Sequence, residues 1–518
     1  MNGMIPKKIK GFRDIDPELN ELRQQVVEKA GKVYELYGFR HWDTPVLEYA
    51  ENLGKYLPDK ETVAEGVYSF RNPETEPVYK NDGSELRDEN DLVVMDNHHI
   101  AMRYDLTAPL ARMYAEELFI QSLKGQLTTN NAPLFRRYQY GPVYRFEAKL
   151  DPGRFREFWQ LDFDTVGTAD VAADAEACMV LSDALEAIGL EKKSFVVRLN
   201  NRKILSGFLS GIGIAGEEDE ASVLRVIDKI DKIGIDGITA ELGKGRKDSS
   251  GAVIPGLGLE NKTVNAIANY FERFVEDKSR ESTIEALFSL NAKNEKFTEG
   301  MAELTRIDEL LRASGYDEEK VLFSPSIVRG LGYYTGPVYE VESLLTFTDR
   351  KGNTRRVGSI CGGGRYDGLV ERLLGIKVPA TGASIGVDRL CELLLLSGEA
   401  TLQQKGTVLI TVFDDELMGE YQKISAELRS AGIPAEIYYG AQRGLKKQIG
   451  YADKMNSPVC ILLGSDEFEK GVVTVRNLAL GKELSATIEN KDEWKRKVQK
   501  EVSRNELVET IKEMLGRK

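Results

Sequence analysis

Cysteine is scarce in this chain, with Cys178, Cys361, Cys391 and Cys460 in 518 residues. Their scattered spacing gives neither the ligand pattern of a zinc site nor the density of a disulfide framework. Histidine is scarcer still, at positions His41, His98 and His99, so a histidine-rich metal centre is not expected. No apolar run approaches the about 20 residues that span a bilayer, and the opening MNGMIPKKIKGF lacks the apolar stretch of a signal peptide. The expectation is a cytoplasmic protein with no membrane segment. Positive charge is in deficit, with 70 Lys and Arg against 83 Asp and Glu and a net charge of -13. That weighs against non-specific polyanion binding and leaves room for a local basic patch. The remainder, 42% hydrophobic and 30% charged, is ordinary globular composition, long enough for about three domains.

DPELNELRQQVVEKAGKVYELYGF reads as a helix, with Asp16 as cap, Pro17 at its first position and Gly38 as its stop. FRHWDTPVLEY looks extended, and the polar, turn-rich residues 72–97 read as a surface insertion or long hairpin. RYDLTAPLARMYAEEL is a short strand entering a helix, and DVAADAEACMVLSDALEAIGL has helical spacing ending in Gly189. Residues from about 200 to 320 are mainly helical in pattern. Strands resume in VYEVESLLTF and ASIGVDRL. From about residue 405, strands GTVLITVF, PAEIYYG, PVCILLG and GVVTVRNL alternate with helices, the pattern of a separate α/β domain.

VYRFEAKLDPGRFREFWQLDFD, residues 143–164, alternates at the period of a strand. Val143, Arg145 and Glu147 share one face and Tyr144 and Phe146 the other. After the turn residues Asp151, Pro152 and Gly153, Trp159, Leu161, Phe163 and Thr165 form an apolar side, and Gln160, Asp162 and Asp164 point the opposite way. One face reads as core and the other as a polar floor, or as a solvated face with cross-strand ion pairs.

Three glycine-rich pieces follow. GIGIAG, residues 211–216, matches a dinucleotide fingerprint in letters only. No clear strand precedes it, and Glu217, Glu218, Asp219 and Glu220 would repel phosphate. CGGGRYDG, residues 361–368, fits no phosphate-loop spacing. Its glycines make a tight turn or admit a ligand close to the backbone, with Arg365 as a nearby cation. VRGLGYYTGPVYEV places Arg329 and the pair Tyr333, Tyr334 ahead of a strand.

Taken together these pieces resemble the histidyl-tRNA synthetases, a family of class II aminoacyl-tRNA synthetases. YGPVYRFEAKLDPGRFREFWQLDFD looks like motif 2, ATGASIGVDRL like motif 3 with Arg389, and YGFRHWDTPVLEY sits where motif 1 belongs. VRGLGYYTGPVYEV and CGGGRYDGL resemble two histidine-specific signatures. The resemblance implies an α+β fold: a class II antiparallel-sheet catalytic core over 1–197 and 321–400, a mainly helical insertion over 198–320, and over 401–518 an α/β anticodon-binding domain with a C-terminal tail. It also implies a homodimer assembled through motif 1.

The implied reaction activates histidine with ATP and passes it to the 3′ end of tRNA(His). Mg²⁺ comes with the ATP, with no fixed protein metal and no tightly bound cofactor. By the same resemblance, Arg145 holds the α-phosphate and substrate carboxylate, Glu147 bonds the adenine amino group, Arg154 reaches the γ-phosphate or acceptor end, and Arg389 stacks on adenine. Arg329 sits by the α-phosphate. Asp105, Thr107 and Gln160 meet the α-amino group, Tyr333 and Tyr334 close on the ring, and Asp164 accepts an imidazole N–H. In the last domain Arg443, Lys446, Lys447 and Lys454 with Tyr451 form a basic, aromatic stretch for tRNA. The chain departs from the family pattern in its motif 2 turn AKLDP, in Gly332, and in Asp105 where bacterial relatives carry a Glu. The other reading is a non-charging, histidine-sensing regulatory subunit of an ATP phosphoribosyltransferase.

Overall fold

The computed structural model describes the chain except residues 1–4, 55–65, 81–83, 125–131, 148–153, 215, 248–250, 275–277, 328–333, 349–351, 357, 401–405, 485–489 and 517–518. It divides into two units, Met1–Thr401 and Leu402–Lys518.

In the first unit the alternating stretch forms the centre of an eight-stranded sheet. We number its strands β1 (Arg40–His41), β2 (Phe135–Tyr144), β3 (Glu157–Val166), β4 (Phe195–Asn201), β5 (Val321–Phe323), β6 (Pro337–Ser343), β7 (Ser359–Arg365) and β8 (Ala380–Gly386). Their order across the sheet is β1-β2-β3-β8-β7-β6-β4-β5. The outermost pair at each edge is parallel and every inner pair antiparallel.

Period two sorts the faces. Leu161 and Phe163 go under the sheet into the main core with Val197, Leu199, Val341 and Ile385. Each such buried Leu, Ile or Phe contributes about 1.5–3 kcal/mol. Two helices cover that underside. Helix α1 (Pro17–Leu36) buries Val26, Val27, Ala30 and Tyr34, and its cap is as expected, with Asp16 Oδ1 accepting Leu19 N–H at 2.8 Å. A later helix, Ala172–Ile188, buries Ala175, Cys178, Leu181 and Leu185. Gly189, at φ +122°, then turns the chain where a side chain would be strained.

Between β4 and β5 the chain is mainly helical, running from Arg202–Gly211 to Glu295–Ala313 with one small hairpin, Gly245–Lys247 against Val253–Pro255. The GIGIAG letters fall at the turn between two helices of this block, not at a strand-to-helix junction. Residues 72–97 carry short paired pieces, Glu76–Pro77 with Met95–Asp96 and the bridges Tyr79 to Glu85 and Arg87 to Val93, as a folded-back insertion would.

The second unit is a five-stranded sheet of Val408–Ile410, Ala435–Ile437, Val459–Leu462, Val472–Asn477 and Gln499–Ser503, with helices Met418–Ser430, Leu445–Lys454 and Leu507–Met514 among its coverings. The C-terminal stretch expected as a tail is thus partly built in. Gln499–Ser503 pairs with Val472–Asn477, and Val502, Leu507 and Ile511 join the core. Its strand is mostly exposed, with one buried side chain, Val502, so the sequence has little apolar alternation there. No helix among the described residues is long and apolar enough to cross a membrane.

Candidate active site

On the upper face of the sheet, side chains of β2, β3 and β8 fall into rungs fixed by the register. One rung runs Arg137, Asp164, Gly382, Gly364; the next Gln139, Asp162, Ser384, Gly362; a third Gly141, Gln160, Gly386. This is the expected polar floor, but it is not solvated. Arg137 is 1% exposed, Gln139 0%, Asp162 3% and Asp164 2%.

Burial at that level requires partners, and most are present. Arg137 donates to Gln139 Oε1 at 2.8 Å and to the Leu106 carbonyl at 2.7 Å, and stands 3.1 Å from Asp164 Oδ2. Tyr366 O–H donates to Asp164 Oδ1. Gln160 Nε2 donates to Ser384 Oγ at 2.8 Å. Three acceptors of the floor, Gln160 Oε1, Asp162 Oδ1 and Asp164 Oδ2, have no hydrogen-bond partner among the described residues. Burial chiefly, with the charge of Asp164, pushes the Asp162 carboxyl up to about 7, against the opposing pull of Arg137 and Ser384. Burial raises Asp164 too, with Arg137 and Tyr366 pulling it down.

The glycines keep this floor low. A Cβ at Gly382 would lie 2.2 Å from Asp164 Oδ1, whereas one at Gly362 would meet nothing nearer than 3.9 Å. The space above the middle rung is therefore open at β7. Arg365 is not a cation for that space. It turns to the other face, where its Nε donates to Asp174 at 3.0 Å and its Nη1 to the Thr168 carbonyl at 2.9 Å. Parity explains the difference, because Arg365 alternates with Gly364 and Gly362.

Arg145 stands at the end of β2. Its Nε donates to the Tyr104 carbonyl at 2.9 Å, and its guanidinium lies 4.4 Å from the Tyr104 ring centre and 5.4 Å from that of Phe158. One edge is thereby fixed while the planar, permanently charged fork stays available. Glu147 follows, half-buried, with its carbonyl accepting Arg156 Nε at 3.2 Å. Arg154 is exposed, in the segment that leads into β3.

Asp105 is buried beside the helix Thr107–Leu123 that it caps, Oδ1 accepting Ala108 N–H at 2.8 Å, and Thr107 opens that helix. Tyr334 is half-buried, its ring against Gly364. Arg389 is half-buried in the first turn of helix Val387–Ser397, which follows β8. The structure thus gathers Arg145, Gln160, Asp164, Asp105, Tyr334 and Arg389 around one sheet. Arg329 and Tyr333 lie outside the described residues.

Sequence reasoning missed the groups that hold this site from behind. Asp388 is 4% exposed and takes Arg13 at 2.7 Å, Arg23 at 2.6 Å and Trp159 N–H at 2.6 Å. It ties the N-terminal segment, α1 and β3 to the residue before Arg389. The signal in sequence was only its place next to Arg389. Among the described residues no cluster of His, Cys, Asp or Glu could hold a metal ion.

In the second unit Lys446, Lys447 and Lys454 are exposed, while Arg443 donates to the Tyr438 carbonyl at 3.1 Å and to Asp415 at 3.2 Å. Tyr451 turns partly inward, edge-on to Tyr438 at 5.4 Å. Of the exposed aromatics of this unit, Phe413 (38%) and Tyr439 (67%) lie just past the carboxyl ends of the parallel strands Val408–Ile410 and Ala435–Ile437.

Comparison with known proteins agrees with these two units. A family model described as histidyl-tRNA synthetase matches residues 75–390, and one described as anticodon binding domain matches 406–514. The chain is 44% identical over 515 residues to a histidine–tRNA ligase of Jannaschia sp. (strain CCS1), covering 98% of this chain and 97% of that one. It is 43% identical to one from Ruegeria pomeroyi, covering 98% and 96%. Among solved structures, a histidyl-tRNA synthetase from Nostoc sp. PCC 7120 superposes with a TM-score of 0.67 at 28% identity, over 99% of this chain and all of that one. An ATP phosphoribosyltransferase regulatory subunit/histidyl-tRNA synthetase from Bacillus halodurans C shares the fold, with a TM-score of 0.61 at 21% identity, over 87% and 97%.

Proposed function

The chain belongs to the histidyl-tRNA synthetase family, and from that premise we infer that it works as a histidine–tRNA ligase, joining histidine to ATP as histidyl-adenylate and then to tRNA(His). The carrying observation is the buried acceptor floor with Arg145 at its end and glycines of β7 and β8 keeping it low. A histidine presents N–H donors from its ammonium and its ring, and Gln160, Asp162 and Asp164 form a row of acceptors. Arg145 then takes the α-phosphate and the attacking carboxylate, holding two anions together while pyrophosphate leaves. Glu147 faces the adenine amino group, and Arg389 covers the base. Arg154, with Arg329, neutralises the polyphosphate, and Mg²⁺ arrives with the ATP. Asp105 and Thr107 border the ammonium, and Tyr333 and Tyr334 close around the ring.

The second unit takes the anticodon. Val408–Ile410 pairs in parallel with Ala435–Ile437 on one side and Val459–Leu462 on the other, and beyond the carboxyl end of such a switch point open α/β sheets leave a crevice. Phe413 and Tyr439 offer faces for unpaired bases there, and Lys446, Lys447, Lys454 and Arg443 neighbour them in sequence.

Assembly as a homodimer is supported by the motif 1 region. A cleft of about 580 Å³, lined by Pro45, Leu47, Tyr49, Phe119 and Leu374 among others, lies beside exposed Ile120 and Leu123, apolar surface that a second copy would cover. The place of work is the cytoplasm, where the tRNA is charged.

The test is amino-acid-dependent exchange between ATP and pyrophosphate with each of the twenty amino acids. Exchange with histidine alone is expected. Histidine binding with no exchange would instead favour the regulatory subunit of a phosphoribosyltransferase, whose fold is the same.

A further inference from the structure

The two glycine-rich signature segments meet at a contact that no step above uses. Tyr334 and Thr335 belong to one, and Arg365, Tyr366 and Asp367 to the other. Thr335 is tied across by main chain and side chain alike. Its N–H donates to the Arg365 carbonyl at 2.8 Å, its hydroxyl donates to Asp367 Oδ2 at 2.9 Å, and the same oxygen accepts Asp367 N–H at 3.3 Å. The hydroxyl hydrogen goes to the carboxylate, since the Arg365 carbonyl is farther from it, at 3.4 Å. Asp367 in turn depends on Thr335. Its Oδ1 has no hydrogen-bond partner among the described residues and stands 3.6 Å from Arg365 Nη1, a guanidinium already committed to Asp174 and the Thr168 carbonyl.

What this pair holds lies one residue back on each side. Tyr334 precedes Thr335, and Tyr366 precedes Asp367. Tyr366 is 4% exposed and reaches the floor, donating to Asp164 Oδ1. Tyr334 lays its ring on Gly364, where a Cβ would come within 2.9 Å of Cδ1, and packs against the same apolar cluster that contains Tyr366. Burial first, then the charge of Asp164, raise the Tyr366 phenol, and Tyr334 adds to them, so the two phenols are within electrostatic reach of each other. A tyrosine ring swings about its own backbone, and fixing the chain one residue away on both segments fixes how far apart the two rings stand. The main-chain bond alone secures one point; the hydroxyl and carboxylate supply a second, charge-assisted one.

We propose that Thr335 and Asp367 are a positioning pair that sets the gap between Tyr334 and Tyr366, and thereby how tightly the pocket closes on the ring of the substrate. This rests on the histidine-activating reading of the site, which gives Tyr334 and Asp164 to the imidazole. Neither member of the pair touches substrate. Both act through the tyrosine that precedes them, so their loss is felt by the amino acid and not by ATP.

The test uses the full chain with Thr335→Val, which keeps the shape and deletes the hydroxyl, and Thr335→Ser, which keeps the hydroxyl. In the exchange assay Thr335→Val should raise KM for histidine about 10-fold or more, the effect of losing one hydrogen bond to a charged group. KM for ATP should stay within about two-fold, a split that general destabilisation would not produce. Thr335→Ser should bring KM for histidine back to within about three-fold of wild type, since the bond is remade. 2-Methyl-L-histidine adds bulk and keeps both ring nitrogens; as a competitor of exchange, its disadvantage against histidine should shrink about 5-fold or more in Thr335→Val as the gap loosens. Asp367→Ala cuts the same bond from the other side and should reproduce these changes, so either variant judges the pair if the other fails to fold. Equal rises in KM for histidine and ATP, serine behaving like valine, or an unchanged preference against the methylated ring each overturn the assignment. A wild-type chain that binds histidine in calorimetry without exchanging pyrophosphate would sink the ligase reading, and binding of the same two ligands would still judge the pair. One that binds neither ligand overturns both.

Discussion

Arg23 of α1 donates to Asp388 at 2.6 Å with both side chains buried, joining residues 365 apart in sequence. Asp388 opens the helix that carries Arg389, so this pair fixes where Arg389 begins. Removing the carboxylate leaves Arg23 buried and Arg13 half-buried without their counter-charge, and frees Trp159 N–H. Breaking a buried pair from one side costs about 3–5 kcal/mol. Asp388→Ala should therefore lower the unfolding midpoint of the larger unit by several degrees in calorimetry. An unchanged midpoint would mean that the arginines find other partners.

Two glycines of the floor should behave differently although their strands are neighbours. Alanine at Gly382 puts a carbon 2.2 Å from Asp164 Oδ1 and 2.5 Å from the Phe163 carbonyl, both held in place, so the protein should lose stability. Alanine at Gly362 meets open space. It should leave thermal stability nearly unchanged and raise KM for histidine by invading the pocket. If Gly362→Ala leaves KM unaltered, the substrate does not lie over that rung.

Much of this was legible because a strand sorts its residues strictly. The alternation of 157–166 placed Leu161 and Phe163 in the core and Gln160, Asp162 and Asp164 on one floor, as the register has it. The same parity separated Arg365 from Gly364 and Gly362, but a glycine run with an arginine at its end invites a ligand reading, and nothing local revealed Asp174 as its partner 191 residues away. Asp388 was hidden for the same reason. Long-range ion pairs leave no periodic trace. Tyr451 looked like a stacking residue because it sits among lysines, yet its helical phase turns it partly toward Tyr438, and the exposed Tyr439 lay in a segment read simply as strand.

Arg145 provides a direct test of the phosphate end. Its guanidinium is preset by the Tyr104 carbonyl and ring, so it is aimed before substrate arrives. Arg145→Ala should reduce histidine-dependent exchange by about 10²-fold or more, and Arg145→Lys should recover little, since an ammonium can neither fork nor stack in the same way. Near-full recovery by lysine would reduce its role to a point charge.

In the second unit, Tyr439→Ala should weaken tRNA charging while sparing pyrophosphate exchange, because the ring is 67% exposed and supports little else. Stacking one base is worth about 1–3 kcal/mol, so KM for tRNA should rise about 5- to 100-fold. Tyr451→Ala should act mainly on stability, through its contact with Tyr438 and its packing on the small cluster of Leu409, Ala452, Cys460 and Leu478. The reverse assignment would follow if Tyr451 alone affected KM for tRNA.

Asp162 makes stability depend on pH in a predictable direction. Its carboxyl is pushed up to about 7 in the folded protein, against about 3.9 in an unfolded chain. Between those values the native state binds the proton and the unfolded state does not, so stability falls as pH rises from about 4 to about 7 and then levels off. Asparagine carries no such charge. Asp162→Asn should therefore melt a few degrees above the wild-type protein at pH 8, and the difference should shrink toward zero near pH 4. The other carboxyls titrate in both proteins and largely cancel in the comparison. A gain equal at both pH values would assign the effect to packing, whereas a gain confined to neutral and higher pH, together with a raised KM for histidine, would mark a buried charge kept for binding at the expense of stability.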